Sequence, residues 1–401
     1  MSKIKVSVIV PFYNGEEYVN TTMQTLLGQT LKDIEIICVD DESTDGTYQN
    51  LLDIAAKDER VCVLQQKKAN AGAARNLGLQ QAQGEYLLFL DSDDLYETDL
   101  LEKMYLESVD KQADVCVCDA DQYDVVTGEY VVKPQYLREK LLPEEIPFSK
   151  ETIGKYILYF TNSAPWNKMV RKSFLEENQI RFQEIDRAND QYFSIMCLIL
   201  AQKITVVREK LVHYKVNQEK NLTAKYSETP LCSYQAMVYV TDALRDRKLL
   251  DDKDIRCAMD NKILNVLLYS LNIQKSLKPF CELYKTVKHG GFEKLGFVMQ
   301  EEDYYFNDVE YRNLRYIMEN EAEEYLLVKT QEFRGAIERK NAIIADKREE
   351  IRLLKQEKRE LQKKEQELNY IKGTKRYQIV WKISGMYSKL FGKRKKEKGN
   401  N

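Results

Sequence analysis

An α/β fold with a mostly parallel central sheet flanked by helices is the class this 401-residue sequence predicts. Three observations carry that reading. Residues 4–120 hold five short runs rich in Val and Ile, "IKVSVIV", "IEIICVD", "RVCVLQQ", "EYLLFLD" and "ADVCVCDA", apolar on both faces as strands covered by helices on both sides must be. Amphipathic stretches of ten to fifteen residues separate them. Strand and helix then alternate in sequence, and a chain that returns through a helix lays its next strand in the same direction.

The elements follow in order. The first strand ends at Pro11-Phe12-Tyr13-Asn14-Gly15, and "EEYVNTTMQTLLGQT" then sets Tyr18, Met23, Leu26 and Leu27 near one helical stripe. The second strand ends at Asp40-Asp41-Glu42-Ser43, and "DGTYQNLLDIAAKD" opens with Asp/Thr capping chemistry. "NAGAARNLGL" reads as a small-residue turn leading into a helix with Arg75 near its start, where a positive side chain beside a helix N-terminus suits phosphate. The fourth strand ends at Asp91-Ser92-Asp93-Asp94. Ligands of such sheets bind at the carboxyl ends of the strands, so these turns share one acidic edge with an exposed aromatic. The chain has neither G-x-G-x-x-G nor G-x-x-x-x-G-K-[ST], which argues against a dinucleotide fold or a P-loop. The crowded carboxylates of "FLDSDD" have two readings: a divalent-cation site, or an acidic turn that caps a helix beginning near Tyr96. Asp40 to Ser43 can likewise be read as helix-capping chemistry.

Beyond residue 120 the pattern is less regular. Pro165 and Trp166 mark a constrained turn, and Asp190 heads a helix whose face carries Tyr192, Phe193, Ile195, Met196 and Leu198. Residues 231–330 read as largely helical. From 331 to 370 a charged helix repeats Ile337, Ile344, Ile351 in one seven-residue register and Leu354, Leu361, Leu368 in another, while Lys340, Lys347, Lys358 and Glu365 fill the alternate seam positions. That half-filled seam leaves two readings, a homo-oligomeric coiled coil or a solvated spacer. Residues 371–401 hold ten Lys or Arg against one Glu, interleaved with Tyr377, Ile379, Val380, Trp381, Ile383, Met386, Tyr387, Leu390 and Phe391. A basic amphipathic helix of this kind suits an anionic membrane surface, the alternative being a disordered basic tail. The net charge of −3 argues against nucleic acid as a partner. No apolar run approaches the ~18 residues of a membrane span. "MSKIKVSVIVPF" reads as a first strand without a secretory leader, and the eight cysteines form no CxxC pair. The expected setting is cytoplasmic, with peripheral attachment to the inner face of the plasma membrane.

In order, "VSVIVPFYNGEEYV", "IEIICVDDESTDGT", "NAGAARNLGL" and "GEYLLFLDSDD" resemble the motifs of family 2 glycosyltransferases with the GT-A fold. "SAPWNKMVRKSFLEENQIRF" and "NDQYF" are similar to bacterial members that build surface polysaccharides, which extends the likeness to about residue 220. The resemblance implies a catalytic domain over 1–230, with a nucleotide-binding half (1–120) and an acceptor-binding half (121–230). A helical domain over 231–330, the charged helix and the basic tail follow it. Tyr13 would stack on the base, with Pro11 shaping the loop and Asn14 within it. Asp41 would accept the N3–H of uracil, supported by Asp40, and Arg75 would approach the diphosphate. Asp91 and Asp93 form the D-x-D motif, Asp93 as direct ligand to Mn2+ or Mg2+ and Asp91 nearer the ribose or a metal-bound water. The family's general base is the Asp of an E-D pair, which here reads Asn189-Asp190. His213 stands where some relatives carry a further metal ligand, and is otherwise a strand-packed histidine. Trp166 and Asn167 would line the acceptor side, unless Trp166 is only core. The implied activity is metal-dependent inverting transfer from a UDP-hexose or UDP-N-acetylhexosamine to a lipid-linked glycan. A nucleotide-sugar-binding scaffold without transfer is the alternative that the lost acid of the E-D pair supports. A nucleotidyltransferase is a further alternative, disfavoured because no Gly-rich basic loop lies near the N-terminus.

Overall fold

Strands β1 (Val6–Phe12), β2 (Ile34–Asp41), β3 (Val61–Gln66) and β4 (Tyr86–Phe89) pair in parallel in the order β3-β2-β1-β4. The structure is a computed structural model that describes residues 3–67, 70–217 and 227–391. It divides into two compact units, Met1–Ala322 and Glu323–Asn401. Helices α1 (Glu16–Leu27), α2 (Thr47–Ala55) and α3 (Ala71–Gln81) link the four strands. Val6, Val8, Ile9, Val10, Ile36, Ile37, Leu87 and Leu88 are all buried, as residues on both faces of a covered sheet must be. β3 departs from the expected two-faced pattern. It is the edge strand, half-exposed along its length, and its Cys62 faces solvent. The parallel strands have β1 between β2 and β4, so the direction of winding reverses beside β1 and opens a crevice at its carboxyl end.

The rest of the sheet is mixed. β8 (Lys168–Arg171) runs antiparallel to β4 and to β6 (Val115–Asp124), which pairs in parallel with β9 (Ile204–Val216) and antiparallel with β7 (Tyr130–Val132). β5 (Leu95–Tyr96) closes the far edge antiparallel to β9. The sequence expectation of a mostly parallel sheet holds: β1 to β4, β6 and β9 all run in one direction, and only β5, β7 and β8 run against it. A register shift between Cys118 and Ala120 curls β6 where it meets β9. Helix α4 (Leu100–Lys111) follows β5, and α5 (Lys150–Ile153), α6 (Lys172–Glu177) and α7 (Asp190–Leu200) lie between β7 and β9 in the chain.

Residues 231–322, expected from the sequence as part of a separate helical domain, pack into the same compact unit as the sheet. They form α8 (Cys232–Asp246), α9 (Lys253–Asn272), α10 (Leu277–Thr286), α11 (Phe292–Lys294) and α12 (Asp308–Glu319). Asp252 caps α9 by accepting from the N–H groups of Asp254 and Ile255, and Asn307 caps α12 in the same way. α8 lies on α7, and α9 lies on α8 and on the turn at 154–156. The second unit contains most of α13 (Ala322–Gly373) and α14 (Lys375–Phe391). On α13 every heptad Ile and Leu named above is exposed in the single chain. On α14 Ile379, Val380, Trp381, Ile383 and Met386 are exposed as well. Among the described residues no helix is long and apolar enough to cross a membrane. The side chains of Leu390 and Phe391, and all of residues 392–401, lie outside the described set.

Candidate active site

The carboxyl ends of β1, β2 and β4 meet at the crevice. After β1, Asn14 takes a left-handed backbone (φ 44°) and ties its loop to the next. Its N–H donates to Ser43 Oγ at 3.0 Å, and its Oδ1 accepts from the Thr44 N–H at 2.8 Å. The ring of Tyr13 stands 47 % exposed at the rim, Pro11 being half-buried beneath it. After β2, Asp40 is fully buried; its Oδ2 accepts from the Ser43 N–H (3.3 Å) and Gln65 Nε2 (3.1 Å), while its Oδ1 has no hydrogen-bond partner. Asp41 accepts from Gln66 Nε2, and burial raises its carboxyl above the ordinary range. Neither aspartate caps α2, whose first turn is served by Asp45 accepting from the Thr47 N–H at 3.0 Å.

The "DSDD" turn is held from three sides. Tyr96 Oη donates to the Asp91 carbonyl at 2.6 Å and accepts from the Asp91 N–H at 3.0 Å. Thr22 on α1 donates to the Ser92 carbonyl, and the Lys215 N–H on β9 donates to Asp94 Oδ1 at 2.9 Å. The expectation that Asp94 caps a helix near Tyr96 is overturned: Leu95 and Tyr96 form β5, and the helix begins only at Leu100. Asp94 is buried, its Oδ2 has no hydrogen-bond partner, and burial followed by the charges of Asp93 and Asp91 drives its carboxyl well above the ordinary range. Sequence reasoning passed over this residue because a third acid in a polar turn carries no signal of its own burial.

The orphaned Asp94 oxygen and the mutual repulsion of three acids fit a hard divalent cation at this turn. Among the described residues no three His, Cys, Asp or Glu side chains are arranged as a ready-made cage. Asp93 and Asp91 would hold such a cation, with water and phosphate oxygens supplying the remainder, as Mg2+ and Mn2+ commonly accept.

Arg75 has a different immediate role from diphosphate contact. It is buried, its Nη2 pairs with Asp91 Oδ1 at 2.6 Å, its Nη1 donates to Asn189 Oδ1 at 2.9 Å, and its guanidinium lies 5.3 Å from the Phe182 ring centroid. One side chain thus joins the "DSDD" turn to the residue before Asp190. Ala188, one position earlier, has φ 56°. That left-handed backbone costs an Ala about 1–2 kcal/mol, the kind of local strain that clusters at functional sites. Asp190 begins α7 half-buried. Burial raises its carboxyl, opposed first by the Arg75 charge and also by Lys262 of α9.

Other expected contacts take different places. Asn167 is fully buried; its Nδ2 donates to the carbonyls of Cys118 (3.0 Å) and Tyr136 (3.3 Å), and its Oδ1 accepts from Lys168 Nζ at 2.8 Å. This corrects the expectation of an acceptor contact, because the amide is used up in bracing the loop. Trp166 is 4 % exposed between Tyr136 and Tyr214, which favours the core reading. His213 has both ring nitrogens engaged, Nδ1 with Asp121 Oδ1 (2.7 Å) and Nε2 with Glu97 Oε1 (3.0 Å). It is a strand-packed histidine here.

Known proteins resemble this chain in sequence and in fold. Residues 7–178 match the model of glycosyl transferase family 2. Glycosyltransferase GlyG of Streptococcus pneumoniae is 33 % identical over 217 residues, which span 52 % of this chain and 70 % of that protein. A putative glycosyltransferase, EpsH of Bacillus subtilis, is 31 % identical over 215 residues (53 % and 61 %). TarS of Staphylococcus aureus, a poly(ribitol-phosphate) β-N-acetylglucosaminyltransferase, is 30 % identical over 243 residues (58 % and 39 %). The matched stretch thus spans less than two thirds of EpsH and of TarS. The crystal structure of TarS 1–349 in complex with UDP-GlcNAc superposes with a TM-score of 0.62 at 21 % identity, over 82 % of this chain and 92 % of that one, a likeness of fold.

Proposed function

Because the chain belongs to glycosyl transferase family 2, we propose that it is a metal-dependent inverting glycosyltransferase of bacterial surface-polysaccharide synthesis. Its donor would be a UDP-hexose or UDP-N-acetylhexosamine, and its acceptor a hydroxyl of a lipid-linked glycan or a phosphate-bearing polymer. The observation that carries the proposal is the Arg75 bridge between Asp91 and Asn189, which brings the donor turn within one residue of Asp190. In this reading Tyr13 stacks on uracil, and Asp41 accepts its N3–H. Asp190 removes the proton of the acceptor hydroxyl as that oxygen bonds to the anomeric carbon. The bond from that carbon to the diphosphate oxygen breaks on the opposite face, and its electron pair leaves with UDP. A cation held by Asp93 and Asp91 would supply positive charge to the departing diphosphate.

Asp93→Ala tests the donor side. Calorimetry should show UDP binding that no longer strengthens when Mn2+ is added; an unaltered Mn2+ response would refute the ligand assignment.

The exposed apolar and basic side chains of α14 support a second part of the proposal, attachment to an anionic membrane at its inner face. The exposed heptad Ile and Leu of α13 support self-association. Deleting residues 371–401 should leave the protein at the bottom of a flotation gradient with phosphatidylglycerol vesicles, whereas the full chain rises. A truncated chain that still floats would exclude the tail as anchor.

A further inference from the structure

The engagement of Arg75 leaves the donor turn short of positive charge. Its guanidinium is spent on Asp91 and Asn189, and the side chain is buried. A nucleoside diphosphate carries more negative charge than one divalent cation neutralises, and the acids that would hold the cation offset part of its charge themselves. A second positive group on another element bordering the turn would complete the balance.

Lys215, at the end of β9, stands in that position. Its N–H donates to Asp94 Oδ1 at 2.9 Å, so the residue starts within hydrogen-bond distance of the turn. The sheet fixes it there: Tyr214 and Lys215 pair in register with Gln122 and Tyr123 of β6, and the Val125 N–H donates to the Val216 carbonyl at 3.3 Å. Tyr214 stacks on Trp166, with ring centroids 6.0 Å apart, and alternation along a strand sends Lys215 to the opposite face. There its ammonium lies 5.7 Å from the centroid of the Tyr18 ring on α1. Thr22, about one turn further along that helix, donates to the Ser92 carbonyl. Both ends of Lys215 are thereby placed, the backbone on Asp94 and the tip against the helix that braces Ser92. The side chain is half-buried, and its Nζ makes no hydrogen bond or ion pair to any described residue. The face of Tyr18 supports the cation without occupying its N–H groups.

We propose that Lys215 holds the diphosphate of the donor nucleotide at this turn, the part that sequence resemblance assigns to Arg75. The inference rests on reading the crevice as the donor site. Arg75 and Lys215 then divide the work. The arginine fastens the turn to Asn189, while the lysine brings a compact point charge on a flexible four-carbon stem, with three N–H groups free for phosphate oxygens.

The test uses the full chain with Mg2+, titrated by calorimetry with UDP, and with uridine measured as a competitor. Lys215→Met keeps the apolar stem and the N–H that holds Asp94. It should weaken UDP binding about tenfold or more, the effect of one charged hydrogen bond. Uridine, which lacks the diphosphate, should bind both chains alike. Lys215→Arg should recover most of the loss, and UDP affinity should depend less on salt in Lys215→Met than in the wild type. Thermal melts identify any folding defect; if Lys215→Met unfolds, Lys215→Gln takes its place. Unchanged UDP affinity overturns the assignment, as does an equal loss for UDP and uridine, which would mark a disturbed base pocket. So does a variant that binds UDP more tightly than the wild type at limiting Mg2+, since the lysine would then serve only to offset the acids of the turn. A wild-type chain that binds neither UDP nor uridine removes the donor site itself and the role of Lys215 with it. The other outcomes leave the donor site standing, so the two failures read differently.

Discussion

Asp190→Asn should lower sugar transfer by roughly a hundredfold to ten-thousandfold, the range that a positioned general base contributes. UDP affinity and the Mn2+ response should stay unchanged, because Tyr13, Asp41, Asp91 and Asp93 belong to other loops. The substitution keeps the shape of the side chain and removes only its capacity to take a proton. The same residue sets the pH dependence. Burial raises its carboxyl above the ordinary value of 3.8, with Arg75 and Lys262 pulling the other way and Asp91 adding to the rise. Below that raised pKa the base is protonated and cannot act. Transfer should therefore fail on acidification at a higher pH than an ordinary aspartate would dictate, and the variant's residual rate should lack that limb. Asn189 contributes by being neutral: an acid there would raise Asp190 further, whereas the amide oxygen still accepts from Arg75 Nη1. Wild-type rates in Asp190→Asn would remove the base assignment. A wild-type chain that binds UDP yet neither transfers nor hydrolyses would favour a non-catalytic scaffold.

Much of the donor side was legible in the sequence, for a physical reason. Buried parallel strands need Val and Ile on both faces, so β1, β2 and β4 announce themselves, and the turns after them must share an edge. β3 misled because an edge strand can carry the same residues while leaving Cys62 in solvent. The reversed strand β8 was not legible, since residues 86–88 pair with 169–171 and no local pattern encodes that distance along the chain. Pro165 and Trp166 were rightly placed in one constrained turn, which the Lys168 N–H closes on the Pro165 carbonyl at 3.0 Å. Which way an amide points is decided by acceptors far away in sequence, here the carbonyls of Cys118 and Tyr136.

Gly72→Ala should lower unfolding free energy by about 2–3 kcal/mol, the upper part of the range for forcing an atom into filled space. Gly72 sits in the first turn of α3, whose N-cap Asn70 accepts from the Ala73 N–H at 2.8 Å. A Cβ built there would stand 2.0 Å from the Gln183 carbonyl oxygen, 3.0 Å from its carbon and 3.1 Å from Asn189 Cβ. The first two are backbone atoms, which cannot rotate aside as a side-chain tip would. The gain of about 1 kcal/mol that Ala brings to a helix interior is too small to offset the clash, and smaller still in a first turn. Relief requires the 183–189 segment, closed by the Gln183 N–H to Asn189 carbonyl bond at 3.2 Å, to move away from α3. That movement withdraws Asn189 from Arg75 and shifts the start of α7 from the donor turn. The variant should therefore lose transfer rate beyond its loss of stability, with UDP affinity retained when measured well below its unfolding midpoint. A denaturation midpoint equal to that of the wild type would show that the segment yields freely. In that case the close approach of α3 is not what positions Asp190.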